Sequence, residues 1–236
     1  MSISLRALIV LVSFLGGALM PNATPQSITA GSVTAIDILL EPDATMLSHA
    51  QENNARLLKV FPGGFALDEQ HRPHITLLQR FVRTDELEKV YAAAAKVLST
   101  HQISSMRLEA FKYYYTPGKD VGVAGIVIRP TPELLQLQQA LIAAVSPFTF
   151  ETGTVAAFTG PSDPDSDAAL ISYVTTFVPK QTGKYYSPHV STGVAKRVYL
   201  DKMITERFQP FTFSPVSAAV YQIGPFGTAA KKLKQL

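Results

Sequence analysis

The chain has 236 residues, 47% of them apolar and 17% charged, with a formal net charge of +3. That length holds one sizeable domain or two small lobes around a packed core. The charge is too small for a long nucleic-acid tract yet tolerates a small anionic substrate. The absence of cysteine excludes disulfides, thiolate nucleophiles and cysteine-based zinc sites.

At the N-terminus, Arg6 precedes an apolar run from Ala7 to Leu15, which continues through Gly16-Gly17-Ala18-Leu19-Met20 and closes at Pro21. The run is short for a membrane span and has the layout of a secretory signal peptide. Residues 1–30 are therefore expected to be removed, by a cut between Ala18 and Ala30. Residues 31–236 then form a single two-lobed domain of a secreted or periplasmic protein, with no stable membrane association after removal.

Ala35 to Leu40 reads as a strand closed by Glu41-Pro42, and Asp43 caps a helix from Ala44 to about Val60. His74 to Val82 is a strand, and Thr84-Asp85-Glu86 opens a helix with an apolar face at Leu87, Val90, Tyr91 and Ala94. Met106 to Tyr115 and Val121 to Ile128 form a hairpin around Thr116-Pro117-Gly118. Thr131-Pro132-Glu133 starts the next helix, with proline at its favoured first position, and Pro147 ends it. Phe148 to Lys184 is less regular: a polar loop at Gly160 to Asp167, then a strand at Ala169 to Val178. Ser187 to Val194 is a strand, Asp201 to Phe208 a short helix, and Phe211 to Ile223 one or two closing strands before a frayed basic tail. This order gives the α+β class, with two-lobed, pseudo-symmetric antiparallel sheets and flanking helices.

Two segments carry the chemistry. His74-Ile75-Thr76-Leu77 and His189-Val190-Ser191-Thr192 each follow a proline and each place a hydroxyl two residues after a histidine. In a strand, residues i and i+2 share a face, so His74 with Thr76, and His189 with Ser191, point the same way. Two imidazoles and two hydroxyls brought together suit phosphodiester cleavage without a metal. One imidazole takes a proton from the attacking oxygen and the other gives one to the leaving oxygen. The hydroxyls would hold non-bridging phosphate oxygens. The bare pattern has low specificity; its placement in two apolar, strand-like runs is what adds weight.

At these residues the chain resembles the 2H phosphoesterase superfamily, which includes the 2'-5' RNA ligase-like enzymes and cyclic phosphodiesterases. The family signature is a pair of His-apolar-Thr/Ser-apolar tetrapeptides. His74 to Leu77 matches it throughout, and His189 to Thr192 departs only at Thr192, where an apolar residue is usual. The resemblance implies hydrolysis or transesterification of 2',3'-cyclic or 2'-5' phosphodiesters. His74 and His189 would be acid and base in unassigned order, and Thr76 and Ser191 would bind phosphate. It implies a nucleotide or RNA-end substrate, no metal, no cofactor and no protein partner. The alternative is a catalytically silent nucleotide- or phosphoester-binding protein of the same fold.

Tyr113, Tyr114, Tyr115, Tyr185 and Tyr186 include candidates for base stacking. Tyr186 and Tyr185 are favoured because they adjoin the second motif. Arg72, Arg80 and Lys184 read as solvated surface charge, and His71, His49 and His101 as loop or helix surface residues. The long Phe148 to Lys184 segment is a candidate cover for the groove.

Overall fold

The computed structural model describes residues 32–162 and 164–236; the expected signal peptide, residues 1–30, lies outside them. The strands are β1 (Val33–Pro42), β2 (Ile75–Arg83), β3 (Leu108–Pro117), β4 (Val121–Ile128), β5 (Thr149–Phe150), β6 (His189–Lys196), β7 (Phe211–Phe213), β8 (Pro215–Ile223) and β9 (Ala229–Gln235). The α-helices are α1 (Ala44–Val60), α2 (Leu87–Leu98), α3 (Pro132–Val145), α4 (Pro164–Thr175), α5 (Phe177–Gln181) and α6 (Arg197–Met203). The strands make two antiparallel sheets, ordered β5-β2-β1-β8-β9 and β6-β4-β3-β7, so the class is α+β.

Local chemistry accounts for the main boundaries. Asp43 caps α1 by accepting from the Thr45 and Met46 amides through Oδ1, while its Oδ2 accepts from the Ser214 amide. Thr131 caps α3 through the Leu134 amide, with Pro132 at the first helical position. The core gathers the inner faces of both sheets and helices: Ile36, Ile38 and Leu77 from one side meet Ile126, Val190 and Leu141 from the other.

Leaving out the two-residue β5, the two sheets correspond strand for strand: β2-β1-β8-β9 against β6-β4-β3-β7. The correspondence reaches the register. Between β1 and β2, Leu39 faces Thr76 and Ile38 faces Leu78, so Leu77 is an extra, bulged residue. Between β4 and β6, Gly125 faces Ser191 and Ala124 faces Gly193, so Thr192 is bulged. The fourth residue of each tetrapeptide is thus a β-bulge, which takes a backbone group out of the ladder and re-aims the strand. Each bulge carbonyl accepts a side-chain amide from a helix: Leu77 from Gln138 on α3 at 3.1 Å, Thr192 from Asn54 on α1 at 2.9 Å. Thr192 Oγ1 also accepts from Asn53 at 2.7 Å, so the departure from an apolar residue comes with a buried polar partner. Gly193 follows at φ +147°, where a Cβ would approach Asn54 Nδ2 to 2.9 Å.

Three expected elements differ. The strand expected at Ala169 to Val178 is helical, split between α4 and α5, and α4 begins at Pro164, inside the expected loop. Its β-branched and aromatic run has strand propensity, but Leu170, Val174 and Phe177 recur at helical spacing and pack inward, so tertiary context overrides propensity. The basic tail is β9, paired to β8, with Lys232 bound to Glu41 at 2.7 Å; lysines on an edge strand keep it soluble rather than frayed. The short helix is Arg197–Met203, starting four residues earlier than expected.

Candidate active site

His74 immediately precedes β2 and His189 opens β6, so each sheet delivers one imidazole to the same cleft. The cleft has a volume of about 280 Å³, and His74, Thr76, His189 and Ser191 all line it. The four residues singled out from the two tetrapeptides therefore converge on one cavity.

The two imidazoles have opposite surroundings. His74 Nδ1 donates to the Arg72 carbonyl at 2.7 Å, and its Nε2 lies 3.4 Å from Asp37 Oδ2. Both neighbours are acceptors, which suits a ring protonated on both nitrogens. Asp37, on β1, is fully buried and also accepts from Thr76 Oγ1 at 2.7 Å and Gln79 Nε2 at 2.8 Å; its Oδ1 has no partner among the described residues. Burial pulls the His74 pKa down, but the hydrogen bond and charge of Asp37, helped by the Arg72 carbonyl and Glu41, outweigh it and hold it above the ordinary histidine value.

His189 Nδ1 donates to the Ser187 carbonyl at 2.9 Å, while its Nε2 lies 3.1 Å from the Tyr114 hydroxyl, which has a proton to give. The Tyr114 hydroxyl also lies 2.9 Å from Thr116 Oγ1; with Thr116 donating to it, its own proton points at His189 Nε2, an arrangement that suits a neutral ring with Nε2 as the base. Burial lowers the His189 pKa; the positive charge of His74 lowers it further, and the Ser187 carbonyl and Asp37 offset this only in part. The register explains the asymmetry. Asp37 pairs with Gln79 two steps beyond Thr76, and the corresponding pair on the second sheet is Val123 with Val194. One sheet carries a carboxylate where the other carries a valine.

The hydroxyls also differ. Thr76 spends its proton on Asp37, whereas Ser191 lines the cavity with no side-chain hydrogen bond to another described residue. Tyr186 lines the cavity too, but its hydroxyl donates to the Thr76 carbonyl at 2.8 Å and burial pushes its pKa up, so it is a wall that steadies β2. Tyr185 is 57% exposed, outside the cavity lining, with Lys184 over its ring. Arg72, Arg80 and Lys184 do not line the cavity.

Sequence reasoning passed over Asp37 and Gln79 and did not favour Tyr114 among the five tyrosines. The signal for Asp37 was a charge inside the apolar strand Ala35-Ile36-Asp37-Ile38-Leu39-Leu40, since a buried carboxylate demands partners. The signal for Gln79 was the Leu77-Leu78 doublet, which breaks the alternation and marks the bulge that turns Gln79 onto the cavity face.

A family model described as the 2'-5' RNA ligase superfamily matches residues 62–223, a span that contains both tetrapeptides. The chain belongs to this superfamily. Among solved structures, TT0787 of Thermus thermophilus superposes on this superfamily member with a TM-score of 0.50 at 15% identity, over 86% of this chain and 97% of that one. LigT of E. coli, in a structure complexed with ATP, gives 0.41 at 12% identity, over 87% and 98%. Usb1 of Kluyveromyces marxianus gives 0.41 at 11% identity, over 86% and 98%. No curated protein sequence matches significantly. At 15% identity the likeness to TT0787 is one of fold, and it agrees with the two facing antiparallel sheets of this superfamily member.

Proposed function

We propose that the chain is a phosphodiesterase that opens 2',3'-cyclic phosphates or 2'-5' phosphodiesters of nucleotides or RNA ends, with His189 as general base and His74 as general acid. The observation that carries this is the unequal surroundings of the two Nε2 atoms: the buried Asp37 carboxylate lies 3.4 Å from that of His74, whereas that of His189 meets the Tyr114 hydroxyl at 3.1 Å. Two titratable groups pushed apart in this way mark out an acid and a base.

In the hydrolytic direction, a water O–H replaces the Tyr114 hydroxyl at His189 Nε2 and gives its proton there as its oxygen forms the new bond to phosphorus. The ester P–O bond breaks, and the leaving oxygen takes the proton from His74 Nε2. Ser191 and the displaced Tyr114 hydroxyl donate to the non-bridging oxygens, where charge develops. The cycle closes when a proton returns from His189 to His74 through solvent.

The active form has His189 neutral and His74 charged, so kcat/KM is bell-shaped in pH. The acid limb belongs to His189 and lies below the ordinary histidine value; the alkaline limb belongs to His74 and lies above it. Asp37→Asn removes the opposing charge, so the alkaline limb moves to lower pH and activity above neutrality falls. A pH–rate series with a 2',3'-cyclic mononucleotide checks this; an alkaline limb that stays put in Asp37→Asn contradicts the assignment.

A further inference from the structure

Arg80 is a charge set in an apolar row. Along β2 it alternates with Leu78 and Val82 on the face turned toward α3 and α5, while Gln79 between them turns onto the catalytic cleft. Leu78 and Val82 are buried, and Arg80 is half-buried, not the solvated surface charge expected from the sequence. A charge in such a row is costly unless it is paired. Arginine has five N–H donors. Among the described residues this one has a single partner, the Thr149 hydroxyl at 3.3 Å, and no carboxylate or helix-end carbonyl meets it. Burial accordingly lowers its pKa, with no neighbouring charge to restore it.

The guanidinium lines a crevice of about 100 Å³ together with Leu78, Ile142, Ser146, Thr149 and Val178. Its walls thus come from β2, α3 and the turn that ends it, β5, and α5. The Thr149 hydroxyl gives its proton to the Ser146 carbonyl at 2.9 Å, which leaves its oxygen for Arg80. The Ser146 hydroxyl makes no hydrogen bond to another described residue. The crevice therefore offers donors, and no acidic side chain is among its described lining residues. At roughly 30 Å³ per water, the space takes about three waters or one small tetrahedral oxyanion. It is too small for a whole nucleoside, whose pockets start at roughly 300 Å³. The planar guanidinium fork matches two oxygens of a phosphate group.

We propose that this crevice is a second anion site, which binds a phosphate group through the Arg80 fork with the Ser146 hydroxyl as a further donor. It lies on the opposite face of β2 from the two histidines and stands independently of the function proposed above. An anion there ties α5 to α3 and β2. Gln138 already joins the same elements, donating to the Leu77 carbonyl and accepting from the Gly183 amide just after α5, each at 3.1 Å. Phe177, the neighbour of Val178, lines the catalytic cleft, as does Gln79, the neighbour of Arg80. The bound anion thus braces two walls of that cleft from behind.

The test is calorimetric titration and thermal melting of the full chain in a His74→Ala/His189→Ala background, which takes the imidazoles of the cleft out of play. Chloride, inorganic phosphate and a nucleoside 2'-monophosphate are compared at equal ionic strength, the last two separating free phosphate from a phosphomonoester end. We expect phosphate to bind and to raise the melting temperature, as any ligand of the native state does, and chloride to do neither. Arg80→Leu should weaken phosphate binding by about tenfold or more, on the scale of one hydrogen bond to a charged group. In chloride it should melt no lower than its parent, because leucine suits the row of Leu78 and Val82. Arg80→Gln, which keeps a polar side chain without the charge, gives the same reading should the leucine variant fail to fold. A response to either phosphate form that depends on Arg80 sustains the site and identifies its source. No binding of either form, a response matched by chloride, or a phosphate affinity unchanged without the Arg80 charge overturns it.

Discussion

At the level of single residues, the site turns on one buried carboxylate. Asp37 takes hydrogen bonds from Thr76 and Gln79 and faces His74, so it ties up the hydroxyl of the first tetrapeptide and favours the charged form of its imidazole. The hydroxyl of the second tetrapeptide has no such engagement. Ser191→Ala should therefore lower kcat by about 10²-fold, the effect of losing one donor to a developing oxyanion. Thr76→Val should lower it much less, because that proton is already directed at Asp37. Steady-state kinetics of the two variants side by side decides the point, and equal losses would contradict the asymmetry. The residue pattern of the motifs was legible in the sequence because strand periodicity forces i and i+2 onto one face. The division of labour was not, because the two tetrapeptides are chemically almost alike. What separates them is a neighbour on another strand, Asp37 against Val123, and strand pairing is a long-range property.

At the level of elements, the two bulges explain why the motif strands are held so firmly. A bulge frees a carbonyl inside a closely packed interior, and an unpaired buried acceptor is costly. Gln138 and Asn54 meet that need from α3 and α1, each fully or nearly buried. Each helix packs against the motif strand of the sheet to which it is not joined through its preceding strand: α1 follows β1 yet packs on β6, and α3 follows β4 yet packs on β2. Thr192→Val keeps the volume but strips Asn53 Nδ2 of its acceptor, so it should destabilise the fold by about 1–3 kcal/mol. Urea denaturation measures this, and a stability within error of wild type would contradict the view that Thr192 is a structural partner. Helices with clear caps and periodicity, α1 and α3, were legible to within a residue or so. The α4–α5 segment was not, because Ile171, Tyr173, Val174 and Thr175 favour a strand taken alone and become helical only when Leu170, Tyr173 and Phe177 have a cavity to cover.

At the level of the whole molecule, two sheets of matching order face one another and meet at their motif strands. The two lobes are not the two halves of the chain. The C-terminal strands β8 and β9 return to the first sheet, where Asp37 pairs with Tyr221, so the pseudo-symmetry is closed only when the last strands are in place. Element order suggested two lobes, but nothing in one sequence records that a strand at 215–223 completes a sheet begun at 33–42. The consequence is a cleft built from both sheets, with one imidazole from each. The most direct measurement is hydrolysis of a 2',3'-cyclic mononucleotide in the presence of chelator by wild type, His74→Ala and His189→Ala. The account predicts turnover by wild type and its loss in both variants, by about 10²-fold or more for each proton-transfer group removed. Turnover that chelator abolishes, or that persists in either variant, would contradict it.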